Sequence, residues 1–200
     1  MDVPKLEKEK SLIVIDSLEE YFSKADMSYK KNLASHAEKM GRNGLSILGD
    51  IGAYPYKSKH KDLVDYESSL LNFDVPMKGF CHYHLKDFET FTDEQKQKLI
   101  HHHSKTLRIM ERQSPATTFF RQPLNYVNHV KDGQHIVLFY EEIEYAKKIS
   151  LEFIKSGLEH NKMCSYLSDE DAEEVTRELA DDGVDINKFS LNGFLNIYKA

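Results

Sequence analysis

Seven of the ten histidines lie in the middle of this 200-residue chain, beside one of its two cysteines. They are His82, His84, His101, His102, His103, His129 and His135, and Cys81 directly precedes the first of them. Imidazole nitrogens and thiolates are ligands preferred by zinc and several other transition metals. These residue types could therefore hold a metal ion, and their spacing decides whether they could converge on one.

The spacing around Cys81 argues against such convergence. Side chains alternate between the faces of a strand, so His82 and His84 share one face while Cys81 and Tyr83 share the other. A zinc site needs three or four converging ligands, and C-x-H-x-H alone is weak support for one. The run 101–103 is also typical of a polar helix end. We therefore expect a hydrogen-bonded or exposed histidine cluster with no metal and no cofactor, and keep a metal-responsive protein as an alternative.

Nucleotide chemistry is disfavoured by the sequence. No G-x-x-x-x-G-K-[ST] phosphate loop occurs, and the segment Phe139-Tyr140-Glu141-Glu142-Ile143-Glu144 stands where one would be. Its three carboxylates would repel a triphosphate, and it has no glycine that could wrap one. Asp16 mimics a magnesium-binding carboxylate after an apolar run, but without the loop it is interpreted as a cap. We expect no ATP turnover, no catalytic residues and no enzyme activity.

Composition and net charge limit the classes of protein to which this chain can belong. The chain is 40% hydrophobic and 30% charged, with a net charge of −6, which is typical of a globular protein. Lysines and arginines are dispersed among more numerous acids, so nucleic acid is not expected as a direct partner. No apolar run is long enough for a membrane span, and the first ten residues are too charged for a signal peptide. These features predict a cytoplasmic protein without a membrane partner.

Short apolar runs alternate with segments of helical period, as in α/β folds with a parallel sheet. Six runs are interpreted as strands, at residues 12–15, 45–48, 78–83, 136–139, 163–167 and 194–198. Helices are expected at residues 27–40, 62–71, 92–102, 141–158 and between 168 and 183. Residues 111–133 contain two prolines and no clean period, so they are interpreted as a linker.

Several of these segments resemble the MEDS family of DcmR-like sensory domains, which have a RecA-like fold without a phosphate loop. In the second half the resemblance lies in the strand led by His135, the Gly157-Leu158 helix end and Cys164-Ser165-Tyr166. In the first half it lies in Gly49-Asp50, Tyr66-Glu67, Cys81-His82-Tyr83, Phe88 and His102 or His103. The first half resembles the end of the family domain and the second half its beginning.

The resemblance implies a three-layer RecA-like α/β fold with a mostly parallel sheet, its two halves in swapped order. Residues 1–110 form the first segment, 111–133 the linker and 134–200 the second segment. The halves are expected to combine within one permuted domain or between two chains of an exchanged homodimer, the dimer being slightly favoured. The strand at 12–15 and that at 194–198 would compete for one family position, which is the reason for preferring the dimer.

The resemblance implies a non-catalytic sensory or signalling protein that binds a small effector, such as a hydrocarbon derivative. A separate regulatory protein would then carry the output. The first alternative is a degenerate KaiC-like nucleotide-binding or assembly subunit without hydrolysis, and the second is the metal-responsive protein. The effector is expected at the carboxyl ends of the parallel strands. The predicted ligand-binding residues there are Asp50, Tyr83, His84, His103, Tyr140 and Ser168.

Overall fold

The computed structural model describes residues 27–50, 60–69, 76–109, 118–168, 170–190 and 192–199. The predicted strand at 12–15 and Asp16 lie outside these ranges. The described strands are β1 (Leu45–Asp50), β2 (Met77–His84), β3 (Lys105–Ile109), β4 (His135–Tyr140), β5 (Met163–Ser168) and β6 (Leu195–Lys199). The described helices are α1 (Met27–Lys39), α2 (His60–Ser69), α3 (Leu85–Glu89), α4 (Asp93–His101), α5 (Thr118–Val127), α6 (Ile143–Glu159), α7 (Ala172–Asp181) and α8 (Ile186–Ser190).

The six strands form one sheet in the order β3-β4-β2-β1-β5-β6, and every described pair is parallel. The fold class predicted from the alternation of apolar runs is therefore confirmed. The inner strand β4, between β3 and β2, is buried along its whole length, which explains its continuous apolar run. None of the helices in the described ranges has the length and apolar character needed to span a bilayer.

Helices cover both faces of the sheet. On one face α5, α6, α7 and α8 pack against a large apolar cluster that includes Phe80, Leu138 and Tyr166. On the other face α2, α3 and α4 pack against Cys81, Tyr83 and neighbouring rings, and α1 covers the starts of the strands. We refer to the second surface, beneath α2 and α4, as the α2/α4 face.

Strands from both sequence halves alternate in the same sheet. Strand β4 lies between β2 and β3, while β5 pairs with β1. The two halves therefore complete one sheet within a single chain, and the exchanged dimer stays a prediction. The segment interpreted as a linker contains helix α5, which includes Pro123, and the sequence pattern also missed strand β3.

Helix α6 approaches the sheet closely at Gly157. A Cβ atom there would lie 2.6 Å from Ser46 Oγ and 2.7 Å from Cys164 Sγ. These distances are shorter than van der Waals contact, so only glycine allows the helix this approach. The Gly-Leu helix end that contributed to the family resemblance thus has a packing role.

Gly157→Ala is expected to lower the free energy of unfolding, because overpacking that forces the helix away from the sheet costs about 1–3 kcal/mol. The higher helix propensity of alanine offsets about 1 kcal/mol of this cost, so a net loss of up to about 2 kcal/mol is expected. Urea denaturation would measure it, with the exposed Glu159→Ala as control on the same helix. An unchanged or raised midpoint for Gly157→Ala would contradict the close approach.

Candidate metal centre

Glu67 is a fully buried carboxylate on the inner side of helix α2. It lies one helical turn after Leu63, which is buried in the α2/α4 face, so both side chains point toward the sheet. Glutamate is rarely buried without a partner, because removing a carboxylate from water is costly. The groups that surround Glu67 therefore determine whether this side chain is tolerated.

Tyr83 supplies the first of these groups. Its Oη donates a hydrogen bond of 2.6 Å to Glu67 Oε1 from the middle of the apolar face. Burial, and next the neighbouring carboxylate of Glu67, raise the pKa of Tyr83 well above its usual value. The phenol therefore keeps its proton and acts as a donor to Glu67.

The other carboxylate oxygen faces two imidazoles and lies near a thiol. Glu67 Oε2 is 3.5 Å from His103 Nε2 and 3.6 Å from His135 Nε2. Cys81 Sγ lies 3.1 Å from the same His135 nitrogen. One potential ligand atom from each of these four residues lies within 4.8 Å of the other three, and all four residues are buried.

Local structure orients His103 toward this cluster. Thr92 begins helix α4 as part of a capping box with Gln95, and His103 follows the end of that helix. The His103 Nδ1 lies 2.6 Å from the Leu99 carbonyl oxygen, which can only accept, so Nδ1 donates. The proton is therefore on Nδ1, and Nε2 carries a lone pair that faces Glu67. Metal-bound histidines have the same arrangement, with a hydrogen bond from the nitrogen that does not bind the ion.

A glycine makes room for His135. This histidine is the first residue of β4 and lies opposite Gly79 of β2 in the sheet register. A Cβ atom on Gly79 would lie 2.7 Å from His135 Cδ2, so a larger residue would displace the ring. The His135 ring also lies against that of His103, with ring centroids 4.1 Å apart.

Three of the six distances among the four potential ligand atoms are known individually, and they are compatible with ligands of one zinc ion, while the other three are at most 4.8 Å. Zinc binds nitrogen, oxygen and sulfur at about 2.0–2.3 Å, so two of its ligands lie roughly 3.3–3.6 Å apart. The distances of 3.1, 3.5 and 3.6 Å between the facing atoms are close to this spacing. One thiolate, two imidazoles and one carboxylate are a ligand set that suits zinc and related divalent transition metals. Metal ligands commonly make a second hydrogen bond that orients them. Glu67 accepts such a bond from Tyr83, and His103 donates one to a backbone carbonyl.

The same residues do not form a nucleophilic triad. In such triads the base contacts the nucleophile through one ring nitrogen and the orienting carboxylate through the other. Here Cys81 and Glu67 both face Nε2 of His135. A buried thiol is also inaccessible to a substrate, so the arrangement is suited to holding an ion and not to acyl transfer.

The structure divides the six predicted ligand-binding residues into two groups. Tyr83 and His103 both contact Glu67 on the α2/α4 face. Asp50, His84, Tyr140 and Ser168 are the last residues of β1, β2, β4 and β5, at the carboxyl edge of the sheet. His103 is placed near the starts of β3 and β4, since Ser104 N donates to the His135 carbonyl. The expectation that all six approach one another is not met.

Within the carboxyl-edge group, contacts are described for two side chains. His84 pairs with Tyr140 in the strand register, and their rings meet edge to face with centroids 5.4 Å apart. His84 also caps helix α3, since its Nδ1 accepts from Lys86 N. Asp50 is in register with His82 of β2, so it ends near the same edge. A shared effector site at this edge stays a prediction.

Sequence reasoning missed three members of the buried cluster as site residues, namely Glu67, Cys81 and His135. The alternation argument was correct in placing Cys81 and Tyr83 on one face of β2, since both lie in the α2/α4 face. It did not include ligands from other elements, which complete the set on that face. One feature of the sequence could have identified the cluster: Glu67, Cys81, His103 and His135 all belong to the segments that resemble the MEDS family.

The chain matches no protein-family model, no curated protein and no solved structure. The resemblance to the MEDS family therefore depends on the motif residues alone and stays a proposal.

Acid is expected to destabilise the metal-free protein through His103. Burial lowers the pKa of His103 below its ordinary value of 6.5, and the nearby Glu67 carboxylate opposes this effect only in part. The unfolded chain therefore takes up a proton before the folded protein does. The contribution of neutral His103 to stability is fully present above about pH 6.5 and is lost as the pH falls through the lowered pKa of the folded state.

Urea denaturation in the presence of a chelator between pH 7.5 and pH 5 would measure this dependence. His103→Gln should flatten it, whereas His101→Gln, an exposed position two residues away, should leave it unchanged. Equal pH dependence in the wild type and His103→Gln would show that His103 does not hold a lowered pKa.

Proposed function

We propose that this protein is a non-catalytic regulatory domain that responds to a transition-metal ion, zinc in the first instance. The observation that carries the proposal is the convergence of Glu67, Cys81, His103 and His135, whose ligand atoms lie within 4.8 Å of one another in a buried site. This proposal replaces the expectation of a metal-free histidine cluster. The alternative kept for a metal-responsive protein becomes the leading one.

The number of ligands favours a structural or regulatory site over a catalytic one. Catalytic zinc sites use three protein ligands and keep an open position for water or substrate, whereas closed sites use four. This site offers four ligands, and all four residues are buried. An ion bound there would connect α2, β2, the end of α4 and the start of β4, so that metal binding would be coupled to the stability of these elements.

The family resemblance supports a sensory role. Glu67, Cys81, Tyr83, His103 and His135 all lie in the motifs that resemble MEDS domains, and all meet in this cluster. If the chain is a MEDS relative, these motif residues would serve a shared site whose state is read by a partner protein. No step of this role requires turnover of a substrate.

Cobalt substitution tests the ligand set directly. The protein purified in chelator should bind one Co²⁺ per chain, with the intense visible bands of tetrahedral cobalt and a near-ultraviolet band from thiolate to metal. Cys81→Ser should abolish the ultraviolet band. Cys164→Ser, at the other buried cysteine, should retain it. Absence of tetrahedral cobalt bands in the wild type would reject the proposal.

Tyr83→Phe is expected to weaken zinc binding by about 10–100-fold, because it removes the hydrogen bond that orients the Glu67 carboxylate. Competition with a chromophoric chelator would measure the affinity. Tyr126→Phe, on helix α5 over the opposite face of the sheet, is the control and should bind zinc normally. If the affinity of Tyr83→Phe equalled that of the wild type, Glu67 would not be a ligand oriented by Tyr83.

A second candidate function is the binding of a small effector at the carboxyl edge of the sheet. The edge-to-face contact of His84 and Tyr140 favours it, because the two rings form an aromatic wall where parallel sheets commonly bind ligands. A thermal-shift screen with short-chain alcohols and halogenated hydrocarbons would test this function. A saturable shift that is lost in Tyr140→Ala but kept in Tyr83→Phe would support it, and no shift with any compound would count against it.

A further inference from the structure

A second concave site lies at the opposite edge of the sheet, where the strands begin. It is a pocket of about 420 Å³, a size common for small-molecule sites. It is lined by Lys78, Asn128, His129, Val130, Lys131, Asp132, His160 and Lys162. These residues come from the start of β2, the turns that follow α5, and the turn between α6 and β5. None of them belongs to the metal cluster or to the predicted effector crevice.

Lys78 is the unusual member of this lining. Only 2% of its surface is exposed, yet among the described residues its ammonium makes no hydrogen bond and no ion pair. The nearest ring is that of Phe153, whose centroid lies 4.9 Å from Lys78 Nζ. Burial lowers the pKa of Lys78 from its ordinary value, as expected for a poorly solvated cation. Lys78 is buried as a residue and lines the pocket, and its ammonium has no carboxylate partner among the described residues, so an anion in the pocket would balance its charge.

The groups near Lys78 do not neutralise it. Burial raises the pKa of the Cys164 thiol to about 12, so that thiol is uncharged at neutral pH. The carboxylate of Asp132 is engaged with another cation, since Lys162 Nζ lies 2.7 Å from Asp132 Oδ1. Lys162 is fixed further by a hydrogen bond of 2.9 Å to the Asn43 carbonyl. With three lysines and one aspartate in the lining, the pocket has an excess of two positive charges.

Two histidines of the lining are oriented in the same way. His129 Nδ1 lies 2.7 Å from the Asn125 carbonyl oxygen, and His160 Nδ1 lies 2.7 Å from that of Ser156. Because a carbonyl only accepts, each Nδ1 carries a proton and each ring is fixed at the end of its helix. Their Nε2 atoms remain for a ligand, to which they can donate once protonated.

We propose that this pocket binds a small organic anion through a carboxylate or phosphate group, with Lys78 as its principal contact. The anion supplies the negative charge that the buried ammonium lacks, and Lys131, His129 and His160 surround the remainder of the ligand. The alternative is a lysine whose aliphatic chain is buried while its head contacts water in the pocket. Only the first arrangement requires selective binding of oxyanions.

Thermal shift with inorganic phosphate and with malonate tests the proposal, with sodium chloride at equal ionic strength as the reference. The wild type and Lys188→Met, which removes an exposed lysine outside the pocket, should show a saturable rise in Tm with at least one of the two anions. Lys78→Met should fold, since it removes an unpaired buried charge, and should lose the rise. A phosphate response alone would identify a phosphate ligand, and a malonate response alone would identify a carboxylate.

An NMR titration of the wild-type protein gives a readout that does not depend on a variant. Amide shifts should be confined to residues 128–132, 160–162 and Lys78. Amide shifts elsewhere, or a response no larger than that to chloride, would overturn the proposal, and so would an undiminished rise in Tm for Lys78→Met in the thermal-shift experiment. Both titrations are run with and without zinc, so failure of the metal site would not affect the conclusion about the pocket.

Discussion

The carboxylate of Glu67 is enclosed between a helix and the sheet, and its charge has to be balanced inside the protein. An ion removed from water costs several kcal/mol unless opposite charge and hydrogen bonds replace its hydration. Tyr83 satisfies one carboxylate oxygen, and the other faces the imidazoles of His103 and His135. The positions of α2 against β2, and of the α4 end against β4, are therefore tied to one polar group within an otherwise apolar layer.

Two kinds of positive charge could balance this carboxylate, namely a proton on an imidazole or a metal ion. Burial lowers the pKa of His103, so a proton is held there less readily than in water. A divalent cation among the four ligand atoms avoids an imidazolium and uses the lone pairs that His103 and Glu67 direct inward. Protons would compete with a metal ion for these ligands, so metal binding would be favoured at neutral pH and lost in acid.

The sequence predicted the elements whose pattern is local. The apolar run of β4 and the helix expected from residue 92 were identified because burial and helical period leave direct signatures in the sequence. Strand β3 was missed because it lies at the sheet edge, where Lys105 and Arg108 are exposed and blur the apolar pattern. The candidate site depended on strand order, since His135 meets Cys81 only because β4 lies beside β2. A buried glutamate also contradicts what its residue type predicts, so the burial of Glu67 could not be derived from its residue type.

The start of β2 connects the two candidate sites physically. Gly79 lies under the His135 ring on the α2/α4 face, and the adjacent Lys78 points to the opposite face and the pocket. The turn at 131–134 is also bound to the start of β2 by two hydrogen bonds. Gly133 N donates to the Met77 carbonyl, and Gly79 N donates to the Gln134 carbonyl. A shift of His135 upon metal binding would therefore displace the turn that carries Lys131 and Asp132. If the two sites are coupled, linkage requires that an anion change metal affinity by the same factor as the metal changes anion affinity.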